Sequence, residues 1–400
     1  MIPTRIVIKI KGKYAEALIY TDELEDSAEG QIRKLCDQPF VQGSAIRIMP
    51  DVHAGAGCAI GTTMTIRDKV VPNLVGVDIG CGMETVKLEQ RRIDLPKLDS
   101  LIRDRIPAGT DIRSAPHKYL EEIDLRALRC ADVVNTKRAE LSLGTLGGGN
   151  HFIEVDKDED GALYLVVHSG SRNIGLQVAE HYQREGYAAL GGRKFCEIPY
   201  DLAYVSGQLL DDYLHDMQIM QEFAELNRQA ITEEIMKGMK LTEEERFTTT
   251  HNYIDLKQRM LRKGAVSARA GETLLIPINM RDGSLICTGL GNPDWNESAP
   301  HGAGRLMSRK EAKQTFTVSA FKKEMQGVFT TTVADETLDE CPMAYKSLGY
   351  IVSRIEPTAR IEKRIVPIYN FKAGENGIRR RKDKVGENAP QRNKGKKRRN

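Results

Sequence analysis

The chain has 400 residues, of which 40% are hydrophobic and 29% charged, so it can bury the core of one large domain or of two ordinary ones. Its first residues lack the apolar region of a secretory signal, and no apolar run reaches the ~20 residues that a membrane-spanning helix needs. Seven scattered cysteines without a Cys-x-x-Cys pair argue against a disulfide framework and a zinc ribbon. The composition therefore predicts a globular, cytoplasmic protein that does not enter a membrane.

The net charge of +3 hides an uneven distribution of charged residues. Residues 373–400 contain 11 Lys and Arg against 3 Asp and Glu, whereas residues 1–372 contain 48 against 53. We therefore expect a folded domain over residues 1–372, followed by a disordered basic tail over residues 373–400. The tail has two interpretations, which are attraction to nucleic-acid phosphates and simple solubilisation.

Strands and helices alternate irregularly along the chain. β-Branched and apolar residues predict strands at residues 5–11, 14–20, 44–49, 58–66, 163–167, 274–277 and 361–371. Helical periodicity predicts helices from Thr21 to Cys36, over most of residues 95–135, and at residues 174–190, 202–239 and 345–353. Because there is no internal repeat and no linker before the tail, this order predicts a single large α+β domain with mixed sheets flanked by helices.

Several loops place polar side chains beside glycine. The run Gly147-Gly148-Gly149 directly precedes Asn150 and His151, and the apolar strand that follows ends at His168. Glycine allows positive φ and lets a ligand approach the backbone. Polar residues stand in comparable positions in other loops, namely Asp51, Asp78, Cys81 and His301, with His251 in a loop that lacks glycine. This stretch predicts a binding site, although a lone histidine in a glycine-rich turn is more often structural.

Asp78 and Cys81 are three residues apart in a glycine-punctuated loop. At this spacing a carboxylate and a thiolate can converge on one metal ion, although such glycines and a small cysteine also serve close backbone packing. With three histidines they would form a mixed oxygen, sulfur and nitrogen donor set that suits Zn²⁺, Mn²⁺ or a related metal. Five such donors can serve one ion, or two ions that share the thiolate.

His301 stands between glycines, with Arg305 and Arg309 four and eight residues further on, where a helix is predicted. An imidazole, a helix N-terminus and guanidinium groups could surround one phosphate there, although a loop with solvated arginines has the same pattern. Since its neighbours are not candidate ligands, His301 fits a nucleophile that attacks phosphorus better than a metal ligand. The chain lacks a P-loop, the dinucleotide glycine pattern and a lysine-nucleophile ligase motif, so phosphate chemistry would depend on histidine, metals and arginine.

Seven motifs that run in the same order resemble those of the RtcB family of RNA ligases. They are Pro50-Asp51-Val52-His53, Gly76-Val77-Asp78-Ile79-Gly80-Cys81-Gly82, Gly149-Asn150-His151-Phe152, His168-Ser169-Gly170-Ser171-Arg172, His251-Asn252-Tyr253, Lys263-Gly264-Ala265-Val266-Ser267-Ala268-Arg269 and His301-Gly302-Ala303-Gly304-Arg305. The resemblance implies an enzyme of tRNA splicing or RNA repair that depends on GTP and Mn²⁺. It would join an RNA 3′-phosphate or 2′,3′-cyclic phosphate end to a 5′-hydroxyl end.

The resemblance also implies a role for each matching residue. The ligands of two manganese ions would be Asp78, Cys81, His151, His168 and His251, with Cys81 bridging the ions. The guanylate site would be lined by Asn150, Phe152, Glu154, Asn252, Ser284, Gly302, Ala303, Gly304, Tyr345 and Lys372. RNA phosphates would be bound by Arg172, Arg305 and Arg309. His301 would be the nucleophile that takes GMP from GTP, and Asp51 would lie near the incoming 5′-hydroxyl.

The implied cycle has three steps: guanylylation of His301, transfer of GMP to the RNA 3′-phosphate, and attack of the 5′-hydroxyl with release of GMP. One departure from the family is Ile278-Asn279-Met280-Arg281, where members often have small Gly-Ser residues and where guanine selectivity could differ. Two other functions fit the residues, a metal-dependent phosphodiesterase or phosphatase acting on RNA ends and a metal-stabilised RNA-binding protein. RNA is the expected partner, an activating protein is a further candidate, and a domain of this size can exist as a monomer.

Overall fold

The computed structural model describes residues 7–195 and 197–374 of the chain. The α-helices of these residues are α1 (Asp26–Cys36), α2 (Leu95–Arg105), α3 (Thr136–Ser142), α4 (Arg172–Ala189), α5 (Gly192–Phe195), α6 (Gln208–Met239), α7 (Arg309–Thr315), α8 (Val318–Glu324) and α9 (Leu348–Ile355). Short 3-10 helices connect several of them.

The strands of the described residues form two large sheets and two small ribbons. The first half of the chain contributes β1 (Ile8–Lys11), β2 (Glu16–Ile19), β3 (Ile46–His53), β4 (Ile60–Thr65), β5 (Lys69–Val70), β6 (Gly82–Leu88), β7 (Phe152–Lys157), β8 (Leu163–Ser169) and β9 (Val205–Ser206). The second half contributes β10 (Glu243–Thr250), β11 (Asn252–Asp255), β12 (Met260–Lys263), β13 (Ala265–Ser267), β14 (Thr273–Asn279), β15 (Gly283–Gly289), β16 (Ser298–Pro300) and β17 (Ala359–Lys372).

One large sheet has the order β1-β2-β3-β4-β12-β11, and the other has the order β10-β6-β8-β7-β17-β15-β14. Every pairing is antiparallel except that of β2 with β3. The ribbons pair β13 with β16 and β5 with β9. The chain passes from the seven-stranded sheet to the six-stranded sheet at His251, between β10 and β11. The mixed α+β architecture predicted from the sequence is confirmed.

Four neighbouring strands of the seven-stranded sheet bring functional residues to one edge. Neighbouring strands in the order β10-β6-β8-β7 run in opposite directions. The strands β10 and β8 therefore end at the same side of the sheet at which β6 and β7 begin. The register pairs Gly82 with both Thr250 and Ser169, and Phe152 with His168. The candidate ligands adjoin these paired residues, and they are Cys81, His151, His168 and His251.

Helix α6 secures the glycine-rich loops beneath this edge. The side-chain oxygen of Asn227 accepts hydrogen bonds from the N–H groups of Gly144 (2.8 Å) and Thr145 (3.1 Å). The guanidinium of Arg228 donates to the carbonyl oxygens of Gly80 (2.8 Å) and Ser169 (3.1 Å). Because Asn227 and Arg228 are buried, these bonds satisfy loop groups that water does not reach.

Several predicted boundaries are wrong for identifiable reasons. Residues 95–135, predicted to be mostly helical with a break at Pro107, form an α-helix only at Leu95–Arg105, and beyond Pro107 they form short 3-10 helices at Lys118–Glu122, Leu125–Ala127 and Ala131–Val133. The helix predicted from Leu202 begins at Gln208, because Gly207 before it has a φ of 56°. The helix expected directly after His301 begins only at Arg309, which leaves Arg305 in a loop.

Other expectations concern the ends of the helices and the chain. The predicted helix after Thr21 begins at Asp26. None of the helices within the described ranges is both long and apolar enough to cross a membrane. The predicted basic tail lies, apart from Ala373 and Gly374, outside the described residues. The six described cysteines are buried and free, as the absence of a disulfide pattern predicted.

Candidate active site

A cavity of about 880 Å³ collects most of the residues that the sequence singled out. Those that line it are Asp78, Cys81, Asn150, Phe152, Glu154, His168, His251, Asn252, His301, Gly302, Ala303, Gly304, Arg305, Arg309, Tyr345 and Lys372. Asp51 and His151 contact lining residues from behind the wall, and Arg172 in turn contacts His151. Ser284 is not brought to the wall, since it is buried on β15 opposite Pro277 of β14.

Five side chains at the sheet edge form what we call the ligand cluster: Asp78, Cys81, His151, His168 and His251. It consists of two overlapping triads, one of Cys81, His168 and His251 and the other of Asp78, Cys81 and His151, each with donor atoms within 4.8 Å of one another. The Sγ atom of Cys81 lies 3.4 Å from Nε2 of His151 and 3.3 Å from Nε2 of His168. Cys81 belongs to both triads, so its sulfur is the donor atom that they share.

Backbone carbonyl groups orient two of the imidazole rings. Nδ1 of His151 lies 2.9 Å from the carbonyl oxygen of Leu146, and Nδ1 of His168 lies 3.1 Å from that of Asn150. A carbonyl oxygen only accepts, so Nδ1 of His168 carries the proton and its Nε2 is free to bind a cation. Nε2 of His151 lies 2.9 Å from Oδ2 of Asp78. Burial lowers the pKa of both rings, which makes them neutral at neutral pH. Neutral imidazole is the form that binds metals.

The two acidic members of the ligand cluster indicate what kind of ion fits it. Burial works against ionisation of Asp78, but its hydrogen bond with Nε2 of His151 and the charge of the nearby Arg172 lower its pKa to about 2. Burial and the charge of Asp78 raise the pKa of the Cys81 thiol well above its usual range. A bound divalent cation would reverse that effect and favour the thiolate. The oxygen, sulfur and nitrogen donors therefore fit a transition-metal ion.

Arg172 lies behind His151 in a constrained conformation. Its φ of 57° is uncommon for a residue other than glycine, and its guanidinium lies 3.0 Å from Nδ1 of His151. A Cβ atom on Gly147 would lie 1.5 Å from Nη2 of Arg172. A side chain at position 147 would therefore collide with the guanidinium of Arg172, which occupies the space beside Gly147.

Asp51 and His301 form a closely held pair. Asp51 has no exposed surface, and its Oδ2 accepts hydrogen bonds from the backbone N–H of His301 (3.1 Å) and from Nδ1–H of its ring (2.6 Å). In the neutral ring, this hydrogen bond places the proton on Nδ1 and leaves the lone pair on Nε2 of His301. The ring of His301 meets that of His251 edge to face, with centroids 5.1 Å apart. His301 therefore stands next to the ligand cluster, and Asp51 holds it there.

Elsewhere on the cavity wall, Glu340 gathers what we call the arginine cluster. Its carboxylate accepts from Tyr345 Oη–H (2.6 Å), Lys372 Nζ (2.6 Å), Arg309 Nη1 (2.5 Å) and Arg305 Nη1 (3.3 Å). Burial works against ionisation of Glu340, but Lys372, Arg309 and Arg305 lower its pKa to about 2. The carboxylate is therefore charged, and it holds four predicted site residues together.

The arginine cluster keeps an excess of positive charge. Asp339 accepts from Arg309 (2.7 Å) and lies 3.3 Å from Nζ of Lys313, so four cations face two carboxylates. This balance suits an anionic ligand. Sequence reasoning missed Asp339 and Glu340, because neither adjoins a glycine or a histidine. The one available signal was indirect, since three predicted cations in a buried site require an anion.

The wall between the two clusters carries Phe152 and Glu154. Lys372 lies over the ring of Phe152 at 5.5 Å from its centroid. Glu154 is buried and accepts from Asn370 (2.6 Å), and burial raises its pKa to about 7. Asn279, at the departure from the family pattern, uses its side-chain oxygen to accept from two N–H groups of its own turn. That oxygen is therefore occupied by the protein backbone.

Comparisons with known proteins show which family the chain resembles. A family model described as "tRNA-splicing ligase RtcB" matches residues 31–128 and 114–373. The RNA-splicing ligase RtcB of Escherichia coli K12 is 34% identical over 382 residues, which cover 82% of this chain and 90% of that protein. The tRNA-splicing ligase RtcB of Aeropyrum pernix is 29% identical over 456 residues, which cover 88% of this chain and 94% of that protein.

Proposed function

Because the chain belongs to the RtcB family of RNA-splicing ligases, we propose that it uses GTP and Mn²⁺ to join RNA 3′-phosphate or 2′,3′-cyclic phosphate ends to 5′-hydroxyl ends. One observation carries the proposal. His301, fixed by a buried carboxylate, faces a cavity that has metal-type donors on one side and an excess of cations on the other. These are the parts that nucleotidyl transfer to a histidine requires.

In the first step, Nε2 of His301 attacks the α-phosphorus of GTP and pyrophosphate leaves. The ring gains positive charge as the nitrogen–phosphorus bond forms. The carboxylate of Asp51 already accepts Nδ1–H, so it stabilises that charge without moving. Ions held by the ligand cluster would neutralise charge that develops on phosphate oxygens.

The nucleotide is held by the wall between the clusters. The carboxyl group of Glu154 faces the cavity and can accept hydrogen bonds from N–H groups of guanine, and Phe152 offers an aromatic face. Arg305, Arg309 and Lys372 supply positive charge to phosphates. The guanylyl group then passes to the RNA 3′-phosphate, and the 5′-hydroxyl displaces GMP from that activated end.

Labelling of the protein tests the proposal directly. The protein is incubated with Mn²⁺ and with GTP labelled at the α-phosphate, and protein-bound label is measured before and after acid. We expect an acid-labile label on the parent and on His215→Ala, whose side chain on α6 is 39% exposed and distant in sequence from every motif. We expect none on His301→Ala.

Equal labelling of His301→Ala and the parent would contradict the nucleophile assignment. Release of phosphate from RNA ends without GTP and without label would instead support the phosphodiesterase alternative. The first outcome is read from the labelled protein on a denaturing gel, and the second from parallel reactions that contain RNA but no GTP.

A further inference from the structure

The joining step requires a group that accepts the proton of the attacking 5′-hydroxyl. The carboxylate of Asp51 is fully buried and does not line the cavity. Its Oδ2 accepts two hydrogen bonds from His301, and its equally buried Oδ1 has no hydrogen-bond partner within the described residues. Asp51 is therefore not placed to meet a hydroxyl that arrives through the cavity. His53, two residues further along β3, is half-buried and lines the cavity wall.

Asp51 orients two imidazole rings through two different groups. Its carboxylate holds Nδ1 of His301, and its backbone carbonyl oxygen lies 2.9 Å from Nδ1 of His53. Since a carbonyl oxygen only accepts, Nδ1 of His53 carries the proton and Nε2 has a free lone pair. Both rings line the same cavity. Asp51 therefore orients both the proposed nucleophile, which is Nε2 of His301, and a second unprotonated ring nitrogen, which is Nε2 of His53.

The segment that carries His53 is rigid on both sides. Nζ of the buried Lys346 donates to the carbonyl oxygens of Pro50 and Val52, both at 3.1 Å. His53 ends β3, where it pairs with Ile60 of β4. A ring fixed in this way needs little rearrangement to meet a substrate, which is the condition for effective proton transfer.

We propose that Nε2 of His53 accepts the proton of the attacking 5′-hydroxyl in the joining step, an inference that rests on the proposed function. The O5′–H bond breaks, and the proton passes to Nε2. The oxygen forms a bond to the phosphorus of the RNA 3′-phosphate. The bond from that phosphorus to the oxygen shared with the guanylyl group breaks, and GMP leaves with the electron pair. His53 then returns the proton to water.

The protonation state of the His53 ring agrees with its role as a proton acceptor. Burial lowers the pKa of His53 to about 4, so the ring is neutral at neutral pH and able to accept a proton. Other histidines of the described cavity wall have separate roles: His168 and His251 belong to the ligand cluster, and His301 is the proposed carrier of GMP. His53 has no such assignment.

The test separates the three steps in His53→Ala, His53→Gln and the control His215→Gln. Protein labelling by GTP, formation of the activated RNA 3′-end and joining are each measured in single-turnover reactions. For both His53 variants we expect labelling and activation within a few-fold of the parent. We expect joining to slow by ~10²–10⁴, so that activated RNA accumulates. Added imidazole should partly restore joining by His53→Ala.

Joining of preformed activated RNA by both His53 variants at the parental rate would overturn the inference. So would a loss of labelling equal to the loss of joining. His53→Gln keeps a donor for the carbonyl oxygen of Asp51, so it decides the matter if His53→Ala fails to fold. If the parent protein takes up no label from GTP, the proposed function itself is wrong. This result differs from every outcome that concerns His53 alone.

Discussion

The ligand cluster and the arginine cluster bury polar groups in opposite ways. In the ligand cluster, neutral imidazoles surround Asp78 and Cys81, and the raised pKa of Cys81 shows that the protein alone does not stabilise a thiolate there. In the arginine cluster, Glu340 has partners on every side, and its pKa falls to about 2. The ligand cluster needs an added cation to stabilise the thiolate of Cys81. The arginine cluster already contains the cations that stabilise the carboxylate of Glu340.

The same difference between partnered and unpartnered groups applies to buried polar groups elsewhere in the chain. A buried group that the protein satisfies contributes to stability, because losing its partner costs free energy. A buried group without a protein partner either binds a ligand or carries a cost. Four substitutions, at Cys81, Glu340, Asp156 and Asp158, test these cases in order of expected effect.

The largest effect is expected from Cys81→Ser, because both triads share this sulfur. The weaker hydroxyl donor should lower both bound manganese and protein labelling by more than ~100-fold, since even outer-shell changes at metal sites cost ~10–100-fold. Metal content by mass spectrometry and labelling by GTP check this. Cys287→Ser, which changes another buried free cysteine on β15, is the control and should keep its metal. Equal metal content in the two variants would remove the ligand role of Cys81.

Glu340→Gln should have the next largest effect. It keeps hydrogen-bonding atoms but removes the charge that Lys372, Arg305 and Arg309 share, and breaking such a buried pair costs ~3–5 kcal/mol. We expect that loss in the free energy of unfolding and at least ~10-fold slower labelling, with unchanged metal content. Glu311→Gln, at an exposed position of α7, is the control.

The sign of the pH effect at Glu340 follows from its lowered pKa. The carboxylate contributes stability above the usual pKa of 4.5, and this contribution is lost as the pH falls toward about 2. Denaturant unfolding of the parent should show that loss, and Glu340→Gln should lack it. Identical profiles for Glu340→Gln and Glu311→Gln would mean that Glu340 does not organise the cluster.

The sequence predicted these clusters unequally. Glycine beside Asp78, Cys81, His151 and His168 marked candidate loops, and the family resemblance supplied the ligand set that the structure brings together. Residue types alone could not show that the four strands β10, β6, β8 and β7 meet at one side of the sheet, because strand order depends on contacts between residues far apart in the sequence. Glu340 was missed for the same reason, since its partners come from three distant segments. Helix boundaries failed where one residue decided them, as at Gly207.

Two aspartates of one loop region provide the smallest test of the comparison. Asp156 on β7 is fully buried, and neither of its carboxylate oxygens has a hydrogen-bond partner within the described residues. Asp158, two residues on, accepts from the N–H groups of Asp160 (3.1 Å) and Ala162 (2.8 Å) and from Tyr164 Oη–H (3.1 Å). Burial and the charge of Glu154 raise the pKa of Asp156 well above its usual range.

We therefore expect Asp156→Asn and Asp158→Asn to change stability in opposite directions. A raised pKa means that the stability present below the unfolded-state pKa of 3.8 is lost as the pH rises through the folded-state value. At pH 8, Asp156→Asn should raise the free energy of unfolding by ~1–3 kcal/mol, because it removes a buried and unpartnered acid. Asp158→Asn should lower it by a similar amount, because it weakens three hydrogen bonds and removes the charge that pairs with Lys363. Urea unfolding at pH 4 and pH 8 measures both, and the gain from Asp156→Asn should shrink at pH 4. A loss of stability in Asp156→Asn at pH 8 would mean that this carboxyl group is satisfied in the folded protein, and the comparison of partnered with unpartnered groups would fail at its simplest case.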